Sequence, residues 1–73
     1  SLDEWVGALN ARSREVILRR FGLRGYDSQT LQGIGEAMGL TRERVRQIQV
    51  EALARLRQVL ESHGLSSELL LDL

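Results

Sequence analysis

Apolar residues recur at intervals of three and four along four stretches of the chain, and this spacing predicts an all-α fold. The longest stretch follows Leu40, where Thr41 is placed to cap a helix over residues 42–62. One side of that helix is apolar, and its inward positions are Val45, Ile48, Ala52, Leu53, Leu56 and Leu60. The other side carries arginine, glutamate and glutamine near the helix start, so it suits a polar partner.

Three shorter helices are expected upstream, over residues 2–9, 11–21 and 31–38. Asn10 and Thr30 are placed to cap the second and third of these helices. Gly22 and Gly39 are placed to end them, because glycine readily takes the left-handed conformation. The expected inward positions are Leu2, Trp5, Val6, Leu9, Val16, Ile17, Phe21, Leu31, Ile34, Ala37 and Met38, with Leu18 left open.

Glycines interrupt the pattern in two places. Gly33 and Gly35 lie inside the third helix, where each costs about 1 kcal/mol relative to alanine, so tertiary packing must sustain that helix. Small residues there also allow another helix to approach closely. Gly64 and Leu65 form a stop after the fourth helix, and the apolar residues beyond them leave open a short helical tail at residues 66–71.

The length and composition exclude several classes of protein. We expect residues 1–73 to form a single domain cut from a longer chain. No apolar run is long enough for a membrane span, and no export leader is visible. The absence of cysteine excludes a disulfide framework and a thiolate metal site. These features predict a cytoplasmic protein that contacts no membrane.

Charge is distributed unevenly although the net charge is zero. All ten basic residues are arginine. They concentrate in two segments, residues 11–24 and residues 42–57. A genome rich in G and C would favour arginine over lysine, but it would not produce two clusters. The zero net charge argues against a non-specific binder of polyanions.

Catalytic patterns are not visible in the sequence. The single histidine, His63, lies near a helix end, where a solvated residue or a partner of the helix dipole is the expected role. No serine–histidine–acid set, metal-ligand spacing or phosphate loop stands out. We therefore expect no enzyme, no bound metal and no cofactor.

The start of the fourth helix has the chemistry of a DNA reader. At 100° per residue, Arg42, Glu43, Arg46 and Gln47 share one face. Arginine suits guanine, glutamine suits adenine, and glutamate accepts from the cytosine amino group. A preceding helix, a glycine turn and a threonine cap complete a helix-turn-helix over about residues 30–60. Two alternatives stay open: an ordinary solvated helix face, and a first-turn acid favoured only by the dipole.

The second helix offers arginines that suit phosphate contacts. Arg12 lies near its start and Arg20 near its end, where they could hold a duplex beside the reading helix. Solvated surface is the competing interpretation for both residues.

These residues resemble region 4 of bacterial RNA polymerase sigma factors. The resemblance covers nearly the whole chain and is strongest in the run Leu40-Thr41-Arg42-Glu43-Arg44-Val45-Arg46-Gln47-Ile48. Upstream, Arg19-Arg20-Phe21-Gly22-Leu23 is similar to region 4.1 of that family. The continuation Gln47-Ile48-Gln49-Val50-Glu51-Ala52-Leu53 is most similar to the stationary-phase, or sigma-S, branch.

The resemblance implies a four-helix domain that binds the −35 promoter element within the polymerase holoenzyme. It implies base contacts for Arg42, Glu43, Arg46 and Gln47. It implies contacts at or near the DNA backbone for Arg12, Arg20, Leu31, Thr41 and Arg44. It also implies docking on the flap of the polymerase β subunit, and activator and anti-sigma partners, with activators touching the stretch that includes Arg55 and Arg57.

Three positions depart from the usual family pattern. Glu51 is acidic where housekeeping members carry a basic residue, which favours the alternative-sigma branch. Ser13 and Gly33 replace glutamates that often complete capping boxes, so the second and third helices are expected to be less stable than usual. Two rival functions stay open, a protein-interaction module built on the same helix and the output domain of a transcription regulator.

Overall fold

The computed structural model describes residues 5–65. Within that range a short 3-10 helix, Val6–Ala8, is followed by three α-helices, α1 (Ala11–Phe21), α2 (Leu31–Met38) and α3 (Arg42–Ser62). Residues 5–65 contain no β-strand. The all-α class is confirmed, and the three α-helices have the bounds that the sequence predicts.

The first predicted helix takes a different form. The described part of it is a 3-10 helix closed by a hydrogen bond from the Leu9 N–H to the Val6 carbonyl at 3.1 Å. Leu9 is extended, with ψ 155°, because the chain must reach Asn10 in the extended conformation that caps α1. Residues 2–4 and the predicted tail at 66–71 lie outside the described residues. The count of four helices is therefore not confirmed.

Side-chain caps begin all three α-helices, as the sequence predicts. In each case a side-chain oxygen accepts a hydrogen bond from the backbone N–H three residues later. The pairs are Asn10 with Ser13 at 2.9 Å, Thr30 with Gly33 at 3.0 Å, and Thr41 with Arg44 at 3.0 Å. Gly22 and Gly39 end α1 and α2 with φ of 64° and 71°, the left-handed region that favours glycine.

The core consists of two clusters arranged along α3. The first joins the 3-10 helix and α1 to the middle of α3, through the buried residues Val6, Leu9, Ile17, Leu18, Ala52 and Leu56. The second joins α1 and α2 to the start of α3, through the buried residues Val16, Ile34, Val45 and Ile48. The second cluster supports the two-turn segment whose outer face carries the predicted DNA contacts. Leu18 is buried, whereas Ala37, predicted to face inward, is exposed.

Gly35 permits the close approach between α2 and the turn that follows it. A Cβ atom at this buried position would lie 2.5 Å from the carbonyl oxygen of Leu40. The Leu40 N–H also donates to the Gly35 carbonyl at 2.8 Å. The close neighbour of Gly35 is therefore the turn at Leu40, whereas the sequence predicted the approach of another helix. The turn between α2 and α3 is consequently tight, and this fixes where α3 begins.

The two ends of the described chain meet through a ring contact. The Trp5 ring, half-buried against the first cluster, lies with its centroid 4.8 Å from that of His63 at an interplanar angle of 58°. His63 is the residue that ends α3, and the backbone turns there through hydrogen bonds to Leu60 and Glu61. Trp5 is thus a core-edge residue.

Candidate nucleic-acid interface

The first two turns of α3 expose a continuous polar face. Arg42, Glu43, Arg46 and Gln47 are all exposed. Val45 and Ile48, on the opposite side of the same turns, are buried in the second cluster. The structure therefore brings together the four side chains predicted to contact bases, on a helix held by its inner face. A helix of this kind has a diameter of about 10–12 Å, which fits a major groove about 12 Å wide.

Glu43 and Arg46 form a two-point ion pair on this face. The Arg46 Nη2 donates to Glu43 Oε1 at 2.6 Å, and its Nε donates to Oε2 at 3.0 Å and Oε1 at 3.1 Å. The two residues lie three positions apart, so they are neighbours on consecutive turns. The competing interpretation of a solvated face foresees contacts of this type, although between Glu43 and Gln47.

The pair shifts the pKa of both of its members. The pKa of the Glu43 carboxyl is lowered, chiefly by the hydrogen bond from Arg46, with further lowering by the positive charges of Arg46 and Arg42 and by Gln47. Partial desolvation opposes this shift. The pKa of Arg46 is raised, first by its hydrogen bond to Glu43. Glu43 is therefore a carboxylate at neutral pH, able to accept hydrogen bonds but not to donate them.

Arg44 and Thr41 frame the start of the helix. Thr41 is exposed and its hydroxyl is engaged by the Arg44 N–H. The Arg44 side chain is exposed, and its Nη1 lies 3.5 Å from the Gln47 Oε1, at the limit of a hydrogen bond. Both residues thus lie at the edge of this polar face, a position that suits the predicted contact with a DNA backbone.

Arg20 contributes to the fold as well as to the surface. Its Nη1 donates to the Gln29 carbonyl at 3.1 Å, and the Ser28 hydroxyl donates to the Arg20 carbonyl at 2.9 Å. The guanidinium also lies 5.7 Å from the centre of the Phe21 ring. Its Nε is buried and has no hydrogen-bond partner among residues 5–65. Arg20 therefore ties α1 to the loop that leads into α2.

Arg12 and Leu31 differ from Arg20 in their surroundings. Arg12 is exposed on the first turn of α1, so its side chain is available to a partner. Leu31 is half-buried and packs against the second core cluster at the start of α2. A contact between Leu31 and a DNA backbone could therefore use only the exposed part of that side chain.

Arg55 and Arg57 lie on different sides of α3. They are two residues apart, which on a helix is a rotation of about 160–200°. Arg57 is exposed and pairs with Glu61 at 3.1 Å. Arg55 lines a cavity of about 330 Å³ between the 3-10 helix, the start of α1 and the middle of α3, together with Glu51 and Asn10. The two arginines therefore do not form one patch.

Two residues near the site were missed by the sequence analysis. Val50 is 53% exposed and, at 100° per residue, lies about 40° from Arg46 and one turn further along the helix. The helical rotation itself could have identified it. Arg14 donates from Nη2 to the Leu9 carbonyl at 3.1 Å and so secures the segment before α1. That contact depends on the extended path at Leu9, which the predicted helix did not contain.

Among residues 5–65, no group of three or more histidine, cysteine, aspartate or glutamate side chains is placed to hold a metal ion. The helices of that part of the chain are also too short or too polar to cross a membrane.

The fold and the polar face define a helix-turn-helix domain, and comparison with known proteins assigns its family. The family model for sigma-70, region 4, matches residues 5–58. The chain therefore belongs to the sigma-70 region 4 family.

Several sigma factors are similar to this chain over most of its length. The RNA polymerase sigma factor RpoS of Coxiella burnetii is 49% identical over 67 residues, which are 92% of this chain and 19% of that protein. The chloroplastic sigma factor sigF of Arabidopsis thaliana is 45% identical over 60 residues, which are 82% of this chain and 11% of that protein. The sigma-C factor of Nostoc is 49% identical over 57 residues, which are 78% of this chain and 14% of that protein. The chain thus spans a fifth or less of these relatives.

Proposed function

We propose that this chain recognises the −35 element of promoters as part of a sigma factor during transcription initiation. The observation that carries the proposal is the joint exposure of Glu43, Arg46 and Gln47 on the first turns of a helix that Thr41 caps. Membership of the sigma-70 region 4 family supports the same function. The chain acts by binding and performs no catalytic step.

The proposed mechanism divides the contacts between bases and phosphates. The start of α3 enters the major groove, where Arg42, Glu43, Arg46 and Gln47 face base edges. Arg12, Arg20 and Arg44, with Leu31 and Thr41 beside them, approach the sugar–phosphate backbone and fix the register. Phosphate contacts carry little sequence information, so the choice of promoter depends on the mixed face of α3.

A domain with zero net charge binds DNA weakly when it is alone. The proposed function therefore requires a support that holds the domain near the promoter, and we assign that role to core RNA polymerase, through the flap of its β subunit. Tethering converts DNA binding into an intramolecular step with a high effective concentration. Activators and anti-sigma factors are the further proposed partners.

The stationary-phase branch is the proposed place of this chain within the family. The 49% identity to RpoS of Coxiella burnetii over 92% of the chain supports it. The acidic Glu51 agrees with it, because the family resemblance implies that housekeeping members usually carry a basic residue at this position. The proposed physiological role is accordingly transcription during stationary phase or general stress.

The test compares promoters with and without a −35 element. The full-length protein is assembled with core polymerase, and open-complex formation is measured on both promoters at several salt concentrations. The proposal predicts a preference for the promoter that has the element, and a salt dependence that weakens when Arg12 is replaced by alanine.

Two results would favour the rival functions. Equal use of both promoters, with retained binding to polymerase, would favour a protein-interaction module. DNA binding without any association with core polymerase would favour the output domain of a transcription regulator.

A further inference from the structure

The cavity between the 3-10 helix, the start of α1 and the middle of α3 combines apolar and charged side chains. Its volume is about 330 Å³. Leu9 and Ala52 line it and are buried, with 5% and 1% of their surface exposed. Glu51 and Arg55 also line it, and both are exposed. The cavity therefore offers an apolar contact beside one acidic and one basic group.

Glu51 and Arg55 keep their charges available to a partner. They lie four positions apart, on consecutive turns of α3, with Cβ atoms about 6 Å apart. Glu15 and Arg19 have the same spacing and order, and they form an ion pair at 2.8 Å. Among residues 5–65, by contrast, neither Glu51 nor Arg55 takes part in a hydrogen bond or an ion pair. Both side chains can therefore meet an incoming group without first breaking a contact.

The character of the cavity favours a protein segment over a small molecule. Pockets for small molecules enclose most of their ligand and have mainly apolar walls. Here the charged side chains are exposed to solvent, and the apolar part is limited to residues such as Leu9 and Ala52. An apolar centre with a polar edge is the usual composition of a protein–protein contact.

The two charges restrict the chemistry of that segment. A uniformly acidic segment would be attracted by Arg55 but repelled by Glu51 one turn away. A uniformly basic segment would meet the opposite conflict. Like charges placed together across an interface are costly, so a segment with one acidic and one basic group gains most.

The cavity also lies within reach of a protein bound to neighbouring DNA. Glu51 follows Glu43 by eight residues, which is about 12 Å along α3 at the helical rise of 1.5 Å per residue. A partner seated on DNA beside the −35 element would thus need to extend only a short distance to contact Glu51 and Arg55.

The geometry points to a docking site for an activator of mixed charge: we propose that this cavity receives a segment of a DNA-bound activator that presents an acidic side chain to Arg55 and a basic one to Glu51. Glu51 thereby excludes activators whose contact surface is uniformly acidic. Arg57 takes no part, because it lies on another side of α3 and pairs with Glu61. This inference rests on the proposed promoter function.

The test uses engineered activators with the assembled holoenzyme. A DNA-binding protein carrying a short fused helix is bound beside the −35 element, so that tethering makes a weak contact measurable. The mixed helix has one glutamate and one lysine four positions apart and is made in both orders. The acidic helix has two glutamates, and the neutral helix has two glutamines. Open-complex formation is measured with the original protein and with Glu51→Lys, Arg55→Ala and Arg57→Ala.

The expected result is a preference for the mixed helix. In one of its two orders it raises open-complex formation roughly three- to tenfold over the neutral helix, the size expected of two exposed ion pairs. The acidic helix gives less than about a twofold increase. Glu51→Lys reverses this preference, and Arg55→Ala weakens the response to the mixed helix. Arg57→Ala, the matched loss of one exposed arginine, leaves that response unchanged.

Three results would overturn the assignment. Equal activation of the original protein by the acidic and mixed helices would show that Glu51 does not select the partner. Equal losses in Arg57→Ala and Arg55→Ala would place the contact outside the cavity. No response to the mixed helix in either order would remove the docking site. A failure of the proposed function is distinguishable, because it would appear without any activator as equal use of promoters with and without the −35 element.

Discussion

Trp5 and His63, near opposite ends of the described chain, are in contact through their rings, with centroids 4.8 Å apart and the ring planes tilted by 58°. Trp5 packs against the first core cluster, and His63 ends α3. The contact therefore joins the 3-10 helix to the end of α3. It also places the single tryptophan of the chain beside the single histidine.

Replacing His63 by alanine is expected to change the environment of Trp5 with little loss of stability. Aromatic pairs contribute about 0.5–1.5 kcal/mol, and because His63 is exposed the loss should lie at the low end. Tryptophan emission reports the change directly. His63→Tyr, which keeps a ring, is the control and should retain most of the emission signature. An identical spectrum in His63→Ala would show that the two rings are not in contact in solution.

Replacing Gly35 by alanine is expected to destabilise the helix-turn-helix. The added Cβ would lie 2.5 Å from the Leu40 carbonyl oxygen, so the turn must shift. Strain of this kind costs about 1–3 kcal/mol, more than the gain of about 1 kcal/mol from the better helix former. Urea unfolding measures the difference.

Gly7→Ala is the matched control for that experiment, since nothing lies within 4 Å of the Cβ it would add. It should change the free energy of unfolding by less than about 0.5 kcal/mol. Equal effects of Gly35→Ala and Gly7→Ala would mean that the turn tolerates a side chain at Gly35.

Replacing Arg20 is expected to destabilise the fold, whereas replacing Arg12 is not. Arg20→Ala removes the hydrogen bond to the Gln29 carbonyl and should lower the free energy of unfolding by about 1–2 kcal/mol. Arg12→Ala removes an exposed side chain and should change it by less than about 0.5 kcal/mol. Thermal and urea unfolding of both variants decide this. If Arg20→Ala leaves the free energy of unfolding unchanged, the Arg20 side chain does not stabilise the fold and is wholly available for DNA in the unmodified protein.

Acid is expected to weaken the start of α3 through Glu43. Because the pKa of Glu43 is lowered in the folded domain from its ordinary value of about 4.5, its pair with Arg46 contributes stability that is present above that value. That contribution disappears as the pH falls through the lower, folded-state pKa. Unfolding followed between pH 7 and pH 2 should therefore show a component that Glu43→Gln lacks. Parallel pH profiles for the two proteins would contradict it.

Local signals explain why the approximate bounds predicted for the three α-helices agree with the structure. At Thr41 and Asn10 a capping side chain stands directly before an apolar period, and at Gly22 and Gly39 a glycine stands directly after one. Each boundary is therefore set by residues within one turn of it. The segment before Asn10 has the same period, but its end is decided by the extended backbone that the next cap requires.

Contacts between side chains were harder to predict than helices. Glu43 has neighbours three and four positions away, and the periodicity is equally compatible with Arg46 and Gln47. In the folded chain the shortest contact is with Arg46, while Gln47 also interacts with the Glu43 carboxyl. Arg20 reaches Gln29 only because the loop folds back along α1, so no local pattern indicates that hydrogen bond. The base contacts expected of Arg42, Glu43, Arg46 and Gln47 stay predictions.

Because α3 is long, a small change in its tilt moves its N-terminal end by several ångströms. Twenty-one residues form a rod about 30 Å long, and its sequence contains neither glycine nor proline at which it could bend. A tilt of only about 6° about its far end would move the start of the helix by about 3 Å, close to the rise of about 3.4 Å per base pair along the duplex axis. Small changes in how a protein partner contacts the C-terminal half of α3 would thus shift which base pair lies opposite Glu43.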